Sequence, residues 1–265
     1  MSGGLHASSE RIEVGGLRLR HWPGQGRPRV FVHGWAMHGG LFAELIDALD
    51  PRPAFALDLP GHGDNRDSAV PLEPAAVARA LAPLGAADWI GWSLGGLFAI
   101  AAASAGQASS VSLIASLPRF VAGTDWPHGM PEATFAGFAT DLARDWHGTV
   151  DRFLALEALG DADERALIQR LRRQVYAHGE PNPAALSAGL DLLHTGDARA
   201  DLAAVAAAGV PIRLIGGRRD RLVSPAALAA TAALHPAIRT HVIPGAAHAP
   251  FMTHADEVAA LLVAP

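Results

Sequence analysis

Short apolar runs along this chain alternate with stretches of helical spacing. The runs RVFV, AFAL, DWIGW, VSLI and IRLI predict strands, and RVFV is continuous enough to be buried on both faces of a sheet. Between and after them, residues 41–49, 75–81, 94–105, 225–234 and 254–263 show helical periodicity. The opening segment RIEV-GG-LRLRHW predicts a β-hairpin that turns at Gly15 and Gly16. Strand and helix therefore alternate, which predicts a mostly parallel central sheet flanked by helices.

The middle of the chain, residues 118–205, interrupts this alternation. It contains helical patterns such as ATFAGFATDLARDW and ERALIQRLRRQVYA, without a strand signal. We therefore predict one α/β core formed by residues 1–117 and 206–265. Residues 118–205 are predicted to form a helical lid insertion over the carboxyl ends of the strands.

Composition narrows the chemistry that the chain can carry. It has 265 residues, half of them hydrophobic, with a net charge of −5 and no cysteine. All 21 basic residues are arginine, which excludes a lysine Schiff base and a P-loop. The negative charge argues against nucleic-acid binding, and the longest apolar run is too short to span a membrane. The first residues show no secretory signal, so we expect a cytoplasmic protein, and we expect a monomer.

A candidate nucleophile lies where DWI meets the apolar helix that follows. Gly91-Trp92-Ser93-Leu94-Gly95 matches G-x-S-x-G, the turn that exposes a serine between a strand and a helix. The turn is sterically tight, so its close neighbours must lack side chains. Ser93 is therefore the predicted nucleophile, and a glycine-rich turn with an incidental serine is the alternative.

A serine nucleophile needs a base and an acid. In proteins that carry their serine on a G-x-S-x-G turn, the acid and then the histidine follow the serine along the chain. IRLIGGRRDRLVSP places Asp220 in a loop after a late strand, and THVIPGAAHAPF places His248 after the last one. His241 lies inside a strand and His254 opens a helix, so both suit the role less well. Asp220 as a solvated loop acid, or His248 as one of 13 histidines without a role, remain the alternatives.

Acyl transfer also requires donors for an oxyanion. The backbone N–H of Leu94, directly after the nucleophile, is one candidate. The N–H of Trp35, in the loop VHGWAMHGG, is the other. The alternative interpretation of the HGW sequence is a plain turn that contains a buried histidine and has no role in catalysis.

The motifs VHGW, DLPGHG, GWSLGG, GGRRDRLV and GAAHAPF together resemble the α/β-hydrolase superfamily. DRFLALEALG, AAHAPFMTHADEV and TDWP resemble, within it, the pimeloyl-[acyl-carrier protein] methyl ester esterases of biotin synthesis. The resemblance implies the triad Ser93, Asp220 and His248. It further implies substrate contacts by Trp35, Ser93, Leu94, Phe153, Leu154, Ala155, Leu156, Glu157 and His248.

The same resemblance implies a partner, and the sequence departs from the family pattern at several positions, among them Ala36, Gly148, Glu157 and the serine of GHGDNRDS. Arg152 would help to hold an acidic acyl-carrier protein, with Arg165 as a second candidate. Arg165 lies in the cluster RALIQRLRR, which a solvated helix face explains equally well. Ala36 stands where relatives have glycine, and Glu157 stands where they have an amide.

We therefore predict a serine carboxylesterase that cleaves a methyl ester of an acyl chain. It needs no organic cofactor, and the histidine spacing does not suggest a metal site. A generalist carboxylesterase or a carbon–carbon bond hydrolase would share every core motif. An acyltransferase, or a non-catalytic binding protein on the same fold, is a more distant alternative.

Overall fold

An eight-stranded sheet forms the centre of the computed structural model, which describes residues 9–263. Its spatial order is β1-β2-β4-β3-β5-β6-β7-β8. Strands Glu10–Val14 and Leu17–Trp22 form the predicted antiparallel hairpin, Leu17–Trp22 also pairs antiparallel with Ala54–Leu57, and all other neighbouring strands are parallel. In chain order the strands are β1 Glu10–Val14, β2 Leu17–Trp22, β3 Arg29–Val32, β4 Ala54–Leu57, β5 Ala87–Trp92, β6 Ala108–Ile114, β7 Ile212–Gly217 and β8 Ile238–Ile243.

Six helices belong to the segments before β6 and after β7. They are α1 Ala43–Asp47, α2 Pro74–Leu81, α3 Gly95–Ser104, α9 Pro225–Ala232, α10 Pro250–Thr253 and α11 Ala255–Val263. Helix α3 packs on β5 and β6 and is covered by α2, so it is buried on nearly every side. Its alanines and glycines make this close packing feasible, because small side chains let a helix approach a sheet.

Five further helices fill the segment between β6 and β7. They are α4 Glu132–Arg144, α5 Trp146–Ala158, α6 Glu164–Tyr176, α7 Pro183–Thr195 and α8 Arg199–Ala207. Asp145, Asp163 and Asn182 cap α5, α6 and α7 by accepting backbone N–H groups of the first turn. Helix α8 packs on the core helix α3 and spans residue 205. The exact division into core and lid therefore stays a prediction.

The carboxyl ends of the parallel strands all lie at one edge of the sheet. The loops after β5, β7 and β8 carry Ser93, Asp220 and His248, and the loop after β3 carries Trp35. The fold thus gathers four distant segments at a single edge. Within residues 9–263 there is no helix of the length and apolarity that crossing a membrane requires.

Candidate active site

Ser93 occupies a strained position between β5 and α3. Its φ of 51° lies in the left-handed region, which non-glycine residues rarely adopt. A Cβ on Gly91 would lie 2.5 Å from the carbonyl oxygen of Gly95, and a Cβ on Gly95 would overlap the carbonyl oxygen of Val32. A Cβ on Gly96 would overlap the hydroxyl of Ser116. The glycines therefore allow the tight turn that presents the Ser93 hydroxyl.

His248 joins this hydroxyl to a carboxylate. Its Nδ1 lies 2.9 Å from Asp220 Oδ2, and its Nε2 lies 2.9 Å from Ser93 Oγ. Because a carboxylate can only accept, Nδ1 carries the proton and Nε2 accepts the hydrogen bond from Ser93. Asp220 is itself fixed, since its Oδ1 accepts the N–H groups of Leu222 and Val223 at 2.8 and 2.9 Å. The structure thus brings the three predicted residues into one hydrogen-bonded chain.

Burial and charge act in opposite directions on the imidazole. Complete burial lowers the pKa of His248, whereas the charge of Asp220, its hydrogen bond and the carboxyl of Glu157 raise it. The net effect is a pKa above the ordinary value near 6.5. Asp220 therefore favours the protonated imidazole that forms when Ser93 gives up its proton.

Glu157 is a buried carboxyl without a partner. It is 0% exposed, and neither side-chain oxygen has a hydrogen-bond donor among the described residues. Burial is the main cause that raises its pKa to about 8, the charge of His248 opposes the rise, and that of Asp220 adds to it. The carboxyl is therefore neutral at pH 7, as an amide would be.

Two backbone N–H groups in the loops next to Ser93 have no acceptor among the described residues. Within the described part of the chain, neither Trp35 N nor Leu94 N makes a hydrogen bond. Ala36 follows Trp35 with a φ of 63°, which explains why glycine would suit that position. The indole of Trp35 is held by α7, since its Nε1 donates to the carbonyl oxygen of Leu186 over 2.8 Å.

A narrow apolar cavity of about 10 Å³ lies above Ser93 and His248. Its remaining walls are Phe120, Met130, Phe135, Phe138, Phe153, Leu193 and Leu222. Most of these residues belong to the segment between β6 and β7, and only Phe153 among them is predicted from the sequence. Phe135 and Phe138, three residues apart on α4, carried a signal in their helical spacing, but an ordinary packed helix shows the same spacing.

The predicted substrate-contact run of α5 divides between different faces of the helix. Phe153 reaches the cavity, Leu154 is fully buried beside it, and Glu157 lies near His248. Ala155 is exposed and Leu156 is half-buried, and neither lines the cavity. A helix turns 100° per residue, so consecutive residues cannot all face one site.

The two arginines predicted to hold a carrier protein differ in their surroundings. Arg152 is ion-paired with Asp141 at 2.9 Å and also contacts the Thr149 hydroxyl. Arg165 is exposed, and no partner is found for it among residues 9–263. Arg172, on the same helix, pairs with Asp151. In the described part of the chain, no group of three His, Asp or Glu residues is arranged to hold a metal ion.

A model of the alpha/beta hydrolase family matches residues 30–261. The chain therefore belongs to the alpha/beta hydrolase family, and its mostly parallel sheet with flanking helices confirms the predicted fold class.

Two similar relatives carry the same name. The chain is 48% identical over 242 residues to the pimeloyl-[acyl-carrier protein] methyl ester esterase of Xanthomonas campestris pv. campestris (strain B100), covering 90% of this chain and 94% of that protein. It is 46% identical to the protein of the same name from Stenotrophomonas maltophilia (strain K279a), covering 90% and 92%. The predicted resemblance to these esterases is confirmed.

Solved structures resemble it in fold. The esterase EaEST from Exiguobacterium antarcticum superposes with a TM-score of 0.80 at 18% identity, covering 96% of this chain and 97% of that one. A bromoperoxidase from Bacillus anthracis gives a TM-score of 0.79 at 20% identity, covering 97% and 98%. At these identities the likeness establishes the fold alone.

Proposed function

We propose that this protein hydrolyses the methyl ester of a carrier-bound pimeloyl chain in biotin synthesis. The observation that carries the proposal is the hydrogen-bonded chain Asp220–His248–Ser93 beneath an apolar cavity. The relatives' shared name supports the choice of substrate. The cytoplasmic location and the monomeric state stay predictions from the sequence.

The reaction follows from the roles proposed for these groups. Ser93 Oγ attacks the ester carbonyl while His248 Nε2 takes its proton, and Asp220 stabilises the imidazolium. The N–H groups of Trp35 and Leu94 stabilise the oxyanion, where one donor typically contributes about 10²–10³ in rate. The tetrahedral intermediate then expels methoxide, to which His248 Nε2 gives the proton, so that methanol leaves and an acyl-enzyme remains. Water, deprotonated by His248, releases the acid and regenerates the serine.

The lining of the cavity supports an acyl chain as the substrate, and with a volume of about 10 Å³ the cavity must widen before such a chain can enter. Its walls are aliphatic and aromatic, and burial of each methylene contributes about 0.8 kcal/mol. The carrier would remain outside, so its contacts would fall on the surface of the inserted helices. We propose Arg152 and Arg165 as parts of that surface.

Turnover of pimeloyl-[acyl-carrier protein] methyl ester by the purified protein, followed as methanol release, tests the proposal. Ser93→Ala should lower kcat by at least about 10⁴-fold, because the nucleophile is lost, while thermal unfolding stays unchanged. Ser104→Ala, at the exposed end of α3, is the matched control and should keep parental activity.

Two outcomes would contradict different parts of the proposal. Turnover by Ser93→Ala within tenfold of the parent would assign the nucleophile elsewhere. Cleavage of short p-nitrophenyl esters, without action on the carrier-bound ester, would retain the esterase chemistry and replace the substrate.

A further inference from the structure

The loop that carries His248 is fixed from several sides. On the core side, Trp92 Nε1 donates to the carbonyl oxygen of His248 over 2.8 Å. Arg219 N, next to Asp220 in sequence, donates to the carbonyl oxygen of Ala246 over 3.0 Å. These two hydrogen bonds hold carbonyl groups of the loop, and its N–H groups need acceptors from elsewhere.

The acceptors come from the corner between α5 and α6, residues 157–161. His248 N donates to the carbonyl oxygen of Glu157 over 3.1 Å, and Ala247 N donates to the carboxylate Oδ2 of Asp161 over 3.2 Å. Ala247 is fully buried and Asp161 is 8% exposed. Without Asp161, the buried N–H of Ala247 would lose its partner and the loop would have to move to regain one.

Asp161 is itself well placed for this task. Its Oδ1 accepts the N–H of Asp163 at 3.1 Å, which orients the carboxylate within the corner. Its Oδ2 also accepts the hydroxyl of Thr253 at 3.3 Å. One carboxylate oxygen therefore joins a residue directly before His248 to the end of α10 after it. The corner receives a further hydrogen bond from Arg219 Nη1 to the carbonyl oxygen of Gly160.

We infer that Asp161 is a positioning residue for His248: it holds the histidine loop in place from the side of the inserted helices. The inference rests on the proposed function, because it concerns the base of that reaction. A displacement of about 1 Å in a catalytic group can cost about 10²-fold in rate. Asp161 does not line the cavity, so its loss should lower kcat and leave KM nearly unchanged.

Asp161→Ala in the full chain is the test, assayed with a p-nitrophenyl ester well below the unfolding temperature. We expect kcat to fall at least tenfold, KM to stay within twofold, and amide hydrogen exchange in residues 245–249 to become at least tenfold faster. Asp161→Asn keeps an acceptor oxygen and should recover most of the loss. Asp145→Ala removes an exposed carboxylate that caps the other end of α5 and should change neither kcat nor exchange in this loop.

Three results would overturn the inference: a folded Asp161→Ala with kcat within twofold of the parent, unchanged exchange in that variant, or an equal loss of kcat in Asp145→Ala.

If Asp161→Ala does not fold, Thr253→Val removes one donor to the same carboxylate. That variant should lower kcat about threefold with KM unchanged, and parental kcat and exchange in it would count against the role. Parent protein without any ester turnover would instead contradict the proposed function, so the two failures are distinct.

Discussion

Single residues in unfavourable backbone conformations surround the candidate site. Ala36, Ser93 and Ala115 have φ values of 63°, 51° and 44°, and they follow the carboxyl ends of β3, β5 and β6. Each such conformation costs about 1–3 kcal/mol. Two of these conformations lie where the turn at Ser93 and the loop that contains Trp35 approach each other. All three residues are buried, so the packing around them maintains the strained conformations.

Glu157→Gln should remove the contribution of this carboxyl to the pH dependence of the free energy of unfolding. The native carboxyl holds its proton up to about pH 8, whereas the unfolded chain releases it near 4.5. The native carboxyl therefore binds more proton than the unfolded one between these values, and its contribution to the free energy of unfolding falls with rising pH by up to about 5 kcal/mol. Urea unfolding at pH 5 and pH 9 measures this difference.

The variant should match the parent near pH 5 and exceed its free energy of unfolding at pH 9, because glutamine does not ionise. Glu73→Gln, at an exposed carboxylate that begins α2, should leave the pH dependence unchanged. A parental decrease with pH in Glu157→Gln would mean that another group causes it.

His248 should titrate above the ordinary histidine value. Burial lowers its pKa, but the charge and hydrogen bond of Asp220 outweigh that effect. Because the neutral imidazole accepts the serine proton, kcat/KM should rise with pH through a midpoint above about 6.5. Nuclear magnetic resonance titration of the ring checks the assignment: the midpoint should fall in Asp220→Asn, and an unshifted midpoint there would disprove the proposed cause.

The sequence predicts some of these residues and not others for physical reasons. Ser93, Asp220 and His248 stand next to strand ends and within motifs, so their order along the chain indicates their meeting point. Asp161 carries no such signal, because an aspartate in a turn between helices is ordinary and its partner, Ala247, lies far along the chain. The charge state of Glu157 likewise depends on burial, which only the folded chain determines.

At the scale of elements, α7 approaches the loop after β3 more closely than side chains usually permit. A Cβ on Gly189, within α7, would lie 2.8 Å from Cδ1 of Trp35 and 3.3 Å from a methyl group of Leu94. The indole of Trp35 also packs on Phe153 of α5, with ring centroids 4.9 Å apart. Inserted helices thus press on both residues whose N–H groups are proposed to hold the oxyanion.

Gly189→Ala should therefore damage the site although alanine favours helices. The added methyl group would overpack against Trp35 at a cost of about 1–3 kcal/mol, more than the roughly 1 kcal/mol gained in helix propensity. We expect a lower free energy of unfolding, and a kcat/KM reduced about tenfold by the displaced donor loop. Steady-state kinetics and urea unfolding measure both.

Gly137→Ala on α4 is the matched control, since a Cβ there would meet no atom within 4 Å. It should raise the free energy of unfolding by about 0.5–1 kcal/mol and leave kcat/KM unchanged. A higher free energy of unfolding with full activity in Gly189→Ala would contradict the prediction, because it would show that α7 can move away from Trp35 without displacing it.

Element types were more predictable than element ends. The predicted helix over 41–49 is a 3₁₀ turn, Gly39–Phe42, followed by the short helix α1. Apolar residues recur at similar spacing in a 3₁₀ turn and in an α-helix, so the pattern does not distinguish the two. The predicted last helix over 254–263 begins at Ala255, since His254 has a φ of −133° that is not helical, and a short helix, Pro250–Thr253, precedes it. Neither the hairpin nor the alternation of strands and helices depends on such details, and both are confirmed.

At the scale of the whole molecule, the arginines differ in whether a nearby carboxylate neutralises them. The chain has a net charge of −5, and many of its arginines are paired with carboxylates. Arg165, on the exposed face of α6, has no such partner among the described residues, whereas Arg152 shares its charge with Asp141. An acidic carrier protein would gain more from an unpaired guanidinium than from one already neutralised.

Arg165→Glu should consequently raise KM for the carrier-bound methyl ester by about three- to tenfold at low salt, and Arg152→Glu should raise it less. Neither variant should change KM for a free methyl ester, since that substrate makes no contact with the surface. Added salt should reduce the difference from the parent, because exposed charges are screened.

Arg239→Glu, at the amino end of β8 and so at the opposite edge of the sheet, has the same charge change and should leave both KM values unaltered. Equal effects of all three substitutions would attribute the change to net charge and remove Arg165 from the proposed docking surface.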